Sequence, residues 1–249
     1  MPWKVQDVIY KTKTDFRFEY NETIAVLVAI IASAFIIGFN DRREAFNITD
    51  WAMNMTESLV LVAAVILVHI SVQKIYGFYQ GFRVEYKLWL YGVGIGLIIA
   101  LLSKGRFWLL APGGVFLHFL PAHRLGWFRP GTNITAYGTI AFSGPLASIL
   151  FVSFFKTLDI WFGWQSALIS KLFVIGWAYG IGNLLPIPPL DGSRFFYYSR
   201  LTYAFTVGSI VGYGLLIYFV GIFSFFWALL IGGIVWLLYY IFLESKVMV

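Results

Sequence analysis

The sequence has no cysteine in its 249 residues, so disulfides, thiolate metal ligands and palmitoyl anchors are all excluded. Charge is scarce too: Asp, Glu, Lys and Arg together make up 12% of the chain. A soluble domain carries about twice that share. No internal repeat is evident, and no segment resembles a cleaved signal peptide. The first residues mix Lys4, Lys11, Lys13 and Arg17 with Asp7, Asp15, Glu19 and Glu22, so the first apolar run is expected to be retained. What fills the chain is apolar. It is 60% hydrophobic and 20% aromatic, with a mean hydropathy of +0.79, a composition that points to an integral protein of the cell membrane. The net charge of +6 then reads as membrane topology and contact with anionic lipid, with no nucleic-acid partner.

At ~20 apolar residues per crossing, the length suits an all-α bundle of about six transmembrane helices plus a re-entrant hairpin. Single spans are expected over residues 23–39, 58–77, 136–155 and 164–185. Residues 40–57 read as a polar outer loop, and Arg83, Glu85 and Lys87 mark a short polar link. Residues 88–120 are apolar but broken by Gly92, Gly94 and Gly96, then by Ser103-Lys104-Gly105-Arg106 and Ala111-Pro112-Gly113-Gly114. Each arm is short for a crossing, which favours a re-entrant element shielded by protein. Residues 201–243 carry no charge over 43 positions, too long for one crossing, and predict a helical hairpin turning near residues 221–224. Three units follow: 1–57, with the first span and outer loop; 58–200, the membrane core; and 201–249, the C-terminal hairpin.

Charge bias orients this arrangement. With the N-terminus inside, fourteen Lys and Arg fall on the inner side and four (Arg42, Arg43, Lys156 and Lys171) on the outer side. That asymmetry predicts cytoplasmic N- and C-termini.

The most constrained stretch is Gly182 through Arg194, where Pro186, Pro188 and Pro189 make a continuing helix costly. Asp191 follows the break. A carboxylate near membrane depth is a functional candidate, because hydrocarbon penalises charge by several kcal/mol. Its plain alternative is a turn or helix cap beside Gly192. In the second span His69 and Gln73 are one helical turn apart and share a face. Two histidines at that spacing, with a glutamate after the first, would supply two zinc ligands and a general base. Here Ile70 has no proton acceptor and Gln73 is a neutral amide, so His69 alone reads as a hydrogen-bonded packing residue. His118 and His123 hold no fixed spacing to it and read as interfacial histidines beside Arg124 and Trp127. Ser71 and Lys74 suggest a dyad, but Lys74 reads more simply as a snorkelling helix-end lysine. Gly92/Gly96, Gly176/Gly180 and Gly208/Gly212 are spaced for close helix approach.

Four motifs in order resemble the site-2 protease family of intramembrane zinc metalloproteases, particularly its small archaeal members. His69-Ile70-Ser71-Val72-Gln73 aligns with the family's His-Glu-x-x-His. Ala111-Pro112-Gly113-Gly114-Val115 is similar to its glycine hairpin, and Phe142-Ser143-Gly144-Pro145-Leu146-Ala147-Ser148 to its Ala-Gly-Pro-Leu-x-Asn helix, with Ser148 at the usual Asn. Asn183 through Gly192 matches Asn-x-x-Pro-x-x-Pro-Leu-Asp-Gly. The resemblance spans residues 58–200. It implies a site-2-protease-like core, with His69 and Asp191 at two zinc-ligand positions, Gln73 at the third and Ile70 at the base. It further implies a partner or substrate groove at Gly113, Gly114, Asn183 and Pro188.

A catalytic zinc takes three protein ligands, and a general base commonly contributes 10²–10⁴-fold. Losing one ligand and the base together is expected to leave a pseudoprotease with no cofactor, a protein that binds transmembrane helices or serves as a subunit or assembly factor of a membrane complex. Membrane lipids and other transmembrane proteins are its expected partners. The competing expectation is an active intramembrane zinc metalloprotease with atypical ligands. A pore or carrier lined by broken helices is a third, weakened by the few intramembrane charges.

Overall fold

Helices dominate because the apolar runs carry few breakers, and in lipid a helix satisfies every backbone N–H and C=O within its own segment. The computed structural model describes residues 5–40, 47–119 and 134–244. In chain order these form α1 (Val5–Asp15), α2 (Tyr20–Gly38), α3 (Ile48–Gln80), β1 (Phe82–Leu88), α4 (Leu90–Leu102), β2 (Gly113–Phe119), α5 (Ile134–Phe162), α6 (Ala167–Asn183), α7 (Asp191–Tyr198), α8 (Arg200–Val220) and α9 (Ser224–Tyr239). Among the described residues four helical stretches are long and apolar enough to cross a membrane: Tyr20–Gly38, Ile48–Gln80, Ile134–Phe162 and Arg200–Glu244. The last is folded back on itself, with α8 packed on α9 across a 3-10 turn at Gly221–Phe223, where the sequence predicts the reversal.

The central helix is α3, packed against α2, α5, α6 and β1. Its Val65, Ile66 and Ile70 share one apolar core with Ile36 and Ile37 of α2, Ile140 and Val152 of α5, and Phe173 and Ile175 of α6. The helix begins ten residues before the expected start of the second span. Asn47 caps it by accepting the Thr49 amide at 3.0 Å. The polar residues that suggested a loop instead face α6: Lys171 donates to Asn54 Oδ1 at 2.8 Å and to Glu57 Oε2 at 3.3 Å.

The chain is largely helical, as expected, but β1 and β2 add a two-stranded antiparallel sheet that the all-α expectation lacks. The supposed polar link, Phe82-Arg83-Val84-Glu85-Tyr86-Lys87-Leu88, alternates strictly between apolar and polar, the period of a strand with one buried face. Phe82, Val84 and Tyr86 are indeed buried. Among the described residues 88–119 only α4 is helical, and its 13 residues reach about 20 Å, short of a ~30 Å hydrocarbon core. The chain then comes back as β2 against β1.

Candidate functional site

A proline and a glycine in α5 determine what α3 can do next to it. Pro145 lies inside the helix and has no N–H, so the carbonyl of Ala141, four residues earlier, loses its usual helical donor. Gln73 of α3 fills that gap, its Nε2 lying 3.2 Å from Ala141 O. Gly144 makes the approach feasible: a Cβ there would stand 2.5 Å from both Gln73 Nε2 and His69 Nε2. The i,i+4 pair predicted on one face of the second span is therefore seated directly on the Gly144-Pro145 notch.

Asp191 arrives from the other side as the first residue of α7. Its Oδ2 accepts Gln73 Nε2 at 2.8 Å and lies 3.0 Å from His69 Nε2, while its Oδ1 takes the Val115 amide of β2 at 3.3 Å. Arg194, one turn along α7, has Nη1 3.8 Å from Oδ1. Strand and helix meet this closely because Gly114 has no side chain; a Cβ would lie 2.3 Å from Pro189 O. His69, Gln73 and Asp191 are all essentially solvent-free. The Gln73 amide is oriented by chemistry, since its oxygen in the same place would face a carboxylate.

Tyr179 meets the His69 ring edge-on at 5.0 Å between centroids. Among the described residues, several buried atoms around this group have no hydrogen-bond partner: His69 Nδ1, Gln73 Oε1 and Tyr86 Oη. Burial above all, then the nearby Tyr179 and Asp191, pushes the Tyr86 phenol well above its usual range, so it stays neutral.

Zinc is the cofactor the motif resemblance raises, and the donor set tests it. His69 and Asp191 are proper ligand types, but the third position presents a primary amide that already donates to the carboxylate. Among the described residues no three His, Cys, Asp or Glu converge as a metal site. Ile70 is wholly buried in the apolar core. These residues do not fit a three-ligand catalytic zinc.

Of the four residues assigned to a groove, Gly113, Gly114 and Asn183 are buried and Pro188 is exposed. Asn183 donates to Tyr179 O at 3.0 Å within its own helix. His118 is on the sheet, 3.0 Å from Glu85 Oε2, and not in the Asp191 cluster. His123 lies outside the described residues. Lys74 does not snorkel. It is buried, 2.7 Å from Glu22 Oε2, donates to Arg17 O at 3.1 Å and sits over the Phe18 ring. Glu22 Oε1 also accepts the Tyr86 amide at 2.9 Å, so one ion pair ties α2, α3 and β1 together. The expected first span, from residue 23, leaves Glu22 outside, whereas α2 begins at Tyr20 and takes it in.

Comparison with known proteins gives a distant relative. The chain is 28% identical over 212 residues to the "Putative zinc metalloprotease MJ0611" of Methanocaldococcus jannaschii, covering 82% of this chain and 98% of that protein. No family model and no solved structure matches. The long apolar helices make this a membrane protein, and its distant homologue carries a metalloprotease name.

Proposed function

We propose that this chain is a non-proteolytic, site-2-protease-like membrane protein that binds transmembrane helices, as a subunit or assembly factor of a larger membrane complex. The observation that carries this reading is the double engagement of Asp191 Oδ2 by Gln73 Nε2 and His69 Nε2. This carboxylate closes a hydrogen-bonded knot between α3 and α7. The neighbouring position 70 contributes only core packing. Six crossings go with this reading: α2, α3, α5, the 17-residue α6, and the two arms of the α8–α9 hairpin, with both termini on the Lys/Arg-rich side.

The relative's name favours a second reading, a working intramembrane zinc metalloprotease with His69, Asp191 and Gln73 as atypical ligands. One experiment separates the two. Gently solubilised protein is assayed for bound zinc, for cleavage of reconstituted transmembrane segments, and for partners crosslinked through a photoreactive residue at exposed Pro188. The proposal expects substoichiometric zinc, no cleavage, and a discrete crosslinked membrane protein. Near-stoichiometric zinc with cleavage that disappears in His69→Ala would establish the second reading instead.

A further inference from the structure

We propose that the open face of the β1–β2 sheet, together with α7, forms a binding site for a phosphate group, of the kind an anionic phospholipid headgroup presents. Strand alternation turns Arg83, Glu85 and Lys87 away from the buried Phe82, Val84 and Tyr86. The register sets His118 opposite Arg83 and Phe116 opposite Glu85, on that same face. Two of the charged side chains there have polar partners: Arg83 pairs with Glu19, and Glu85 Oε2 lies 3.0 Å from His118 Nε2.

Two cations are held more loosely. Among the described residues Lys87 meets only the Phe116 ring, its Nζ 4.7 Å from the centroid. Arg194 reaches over the same ring from α7, its guanidinium carbon 5.3 Å from the centroid. Its ion pair with Asp191 is long, at 3.8 Å, through a buried Nη1 that has no hydrogen-bond partner among the described residues, and 21% of its side chain remains exposed. A guanidinium offers five N–H donors, and desolvating them without an acceptor is costly. An ammonium and a guanidinium over the same aromatic ring offer donors to a single anion with several oxygens, which phosphate supplies and which an Arg fork grips bidentately.

The surroundings point to lipid as the carrier. Leu90 and Tyr91 at the start of α4, and Tyr197 one turn beyond Arg194, are each at least 70% exposed and offer apolar surface to acyl chains beside both cations. Lys87 and Arg194 also fall on the side that charge bias assigns to the cytoplasm, where leaflets are anionic. Through Arg194, such a headgroup would sit one residue contact from Asp191.

Native mass spectrometry of the full chain in detergent, titrated with phosphatidylglycerol, phosphatidylcholine or inorganic phosphate, tests this. Phosphatidylglycerol should be retained over phosphatidylcholine. Lys87→Gln and Arg194→Gln should each weaken it about fivefold, and the pair about 25-fold, from ~1 kcal/mol per cation at a lipid surface. Arg83→Gln, whose charge is already paired, should change binding less than twofold. Inorganic phosphate bound by the wild type and lost in the double variant, without lipid preference, would keep the site but make its ligand free phosphate. Equal retention of both lipids with no phosphate binding overturns the site. So does an Arg83→Gln loss as large as that of Lys87→Gln, which would mean diffuse surface charge. Should Arg194→Gln fail to fold, the exposed Lys87→Gln decides alone.

Discussion

Gln73 donates to Asp191 at 2.8 Å across 118 positions of sequence, and the oxygen it reaches is the one that faces His69 at 3.0 Å. One amide therefore bridges α3 to the start of α7 while its second contact, to Ala141 O, holds α5. Three elements converge on a side chain that a metal-ligand alignment would count as a loss. Here the amide has its own task, that of satisfying a buried carboxylate and a carbonyl orphaned by proline.

That arrangement makes Asp191→Asn a measured test of the carboxylate. The Val115 amide and the Gln73 amide both need acceptors, and Asn offers one oxygen where Asp offers two. Leaving one buried donor unmatched costs about 1–3 kcal/mol. For a chain of this length that corresponds to a fall in Tm of roughly 2–10 °C in detergent. An unchanged Tm would mean that the carboxylate is not held by these donors.

Gly144→Ala and Gly94→Ala form a matched pair. At Gly144 the new methyl would meet Gln73 and His69 at 2.5 Å, whereas at Gly94 nothing lies within 4 Å. Overpacking of that kind costs about 1–3 kcal/mol, while alanine for glycine in an open helical position is neutral to stabilising by up to about 1 kcal/mol. Thermal unfolding should therefore separate the two variants with opposite signs. Equal effects would refute the close seating of α3 on α5.

How much of this was legible beforehand depended on the range of the signal. The proline break before Asp191, the shared face of His69 and Gln73, and the reversal near Gly221 are local and could be read from spacing. The sheet was also local, and the alternation from Phe82 to Leu88 announced it, but its charges invited a loop assignment in a chain otherwise helical. The start of α3 was hidden because Asn54 and Glu57 look solvated until Lys171, far along the chain, is placed beside them. The Lys74–Glu22 pair and the use of Ala141 O by Gln73 are contacts between separate elements, which no periodicity encodes.

The Lys74–Glu22 pair should behave as a buried ion pair does. Lys74→Met or Glu22→Gln alone leaves a charge without its partner, at a cost of about 3–5 kcal/mol. The double variant Lys74→Met/Glu22→Leu should recover most of the lysine's share, though not the acceptor that the Tyr86 amide loses. Hydrogen exchange across β1 reads this out, with faster exchange at Tyr86 in both Glu22 variants. Additive losses in the double variant would show that the two charges do not depend on each other.

Gln73→His addresses the functional reading most directly. An imidazole at position 73 keeps the i,i+4 spacing to His69 and converts the amide that donates to Asp191 into a third ligand type suited to zinc. The variant should bind close to one zinc per chain by elemental analysis, and chelation should lower its Tm. A ligand at 100 times its Kd contributes about 2.7 kcal/mol of stability. Adding His69→Ala should remove the metal. Hydrolysis should still be absent, because Ile70 supplies no proton acceptor. Ile70→Glu in the same background should restore cleavage of a transmembrane substrate. It should also destabilise the apo protein strongly, since position 70 is fully enclosed among Val65, Ile66 and their neighbours. Zinc bound as tightly by the wild type as by Gln73→His, or cleavage by Gln73→His alone, would overturn the proposed non-proteolytic reading.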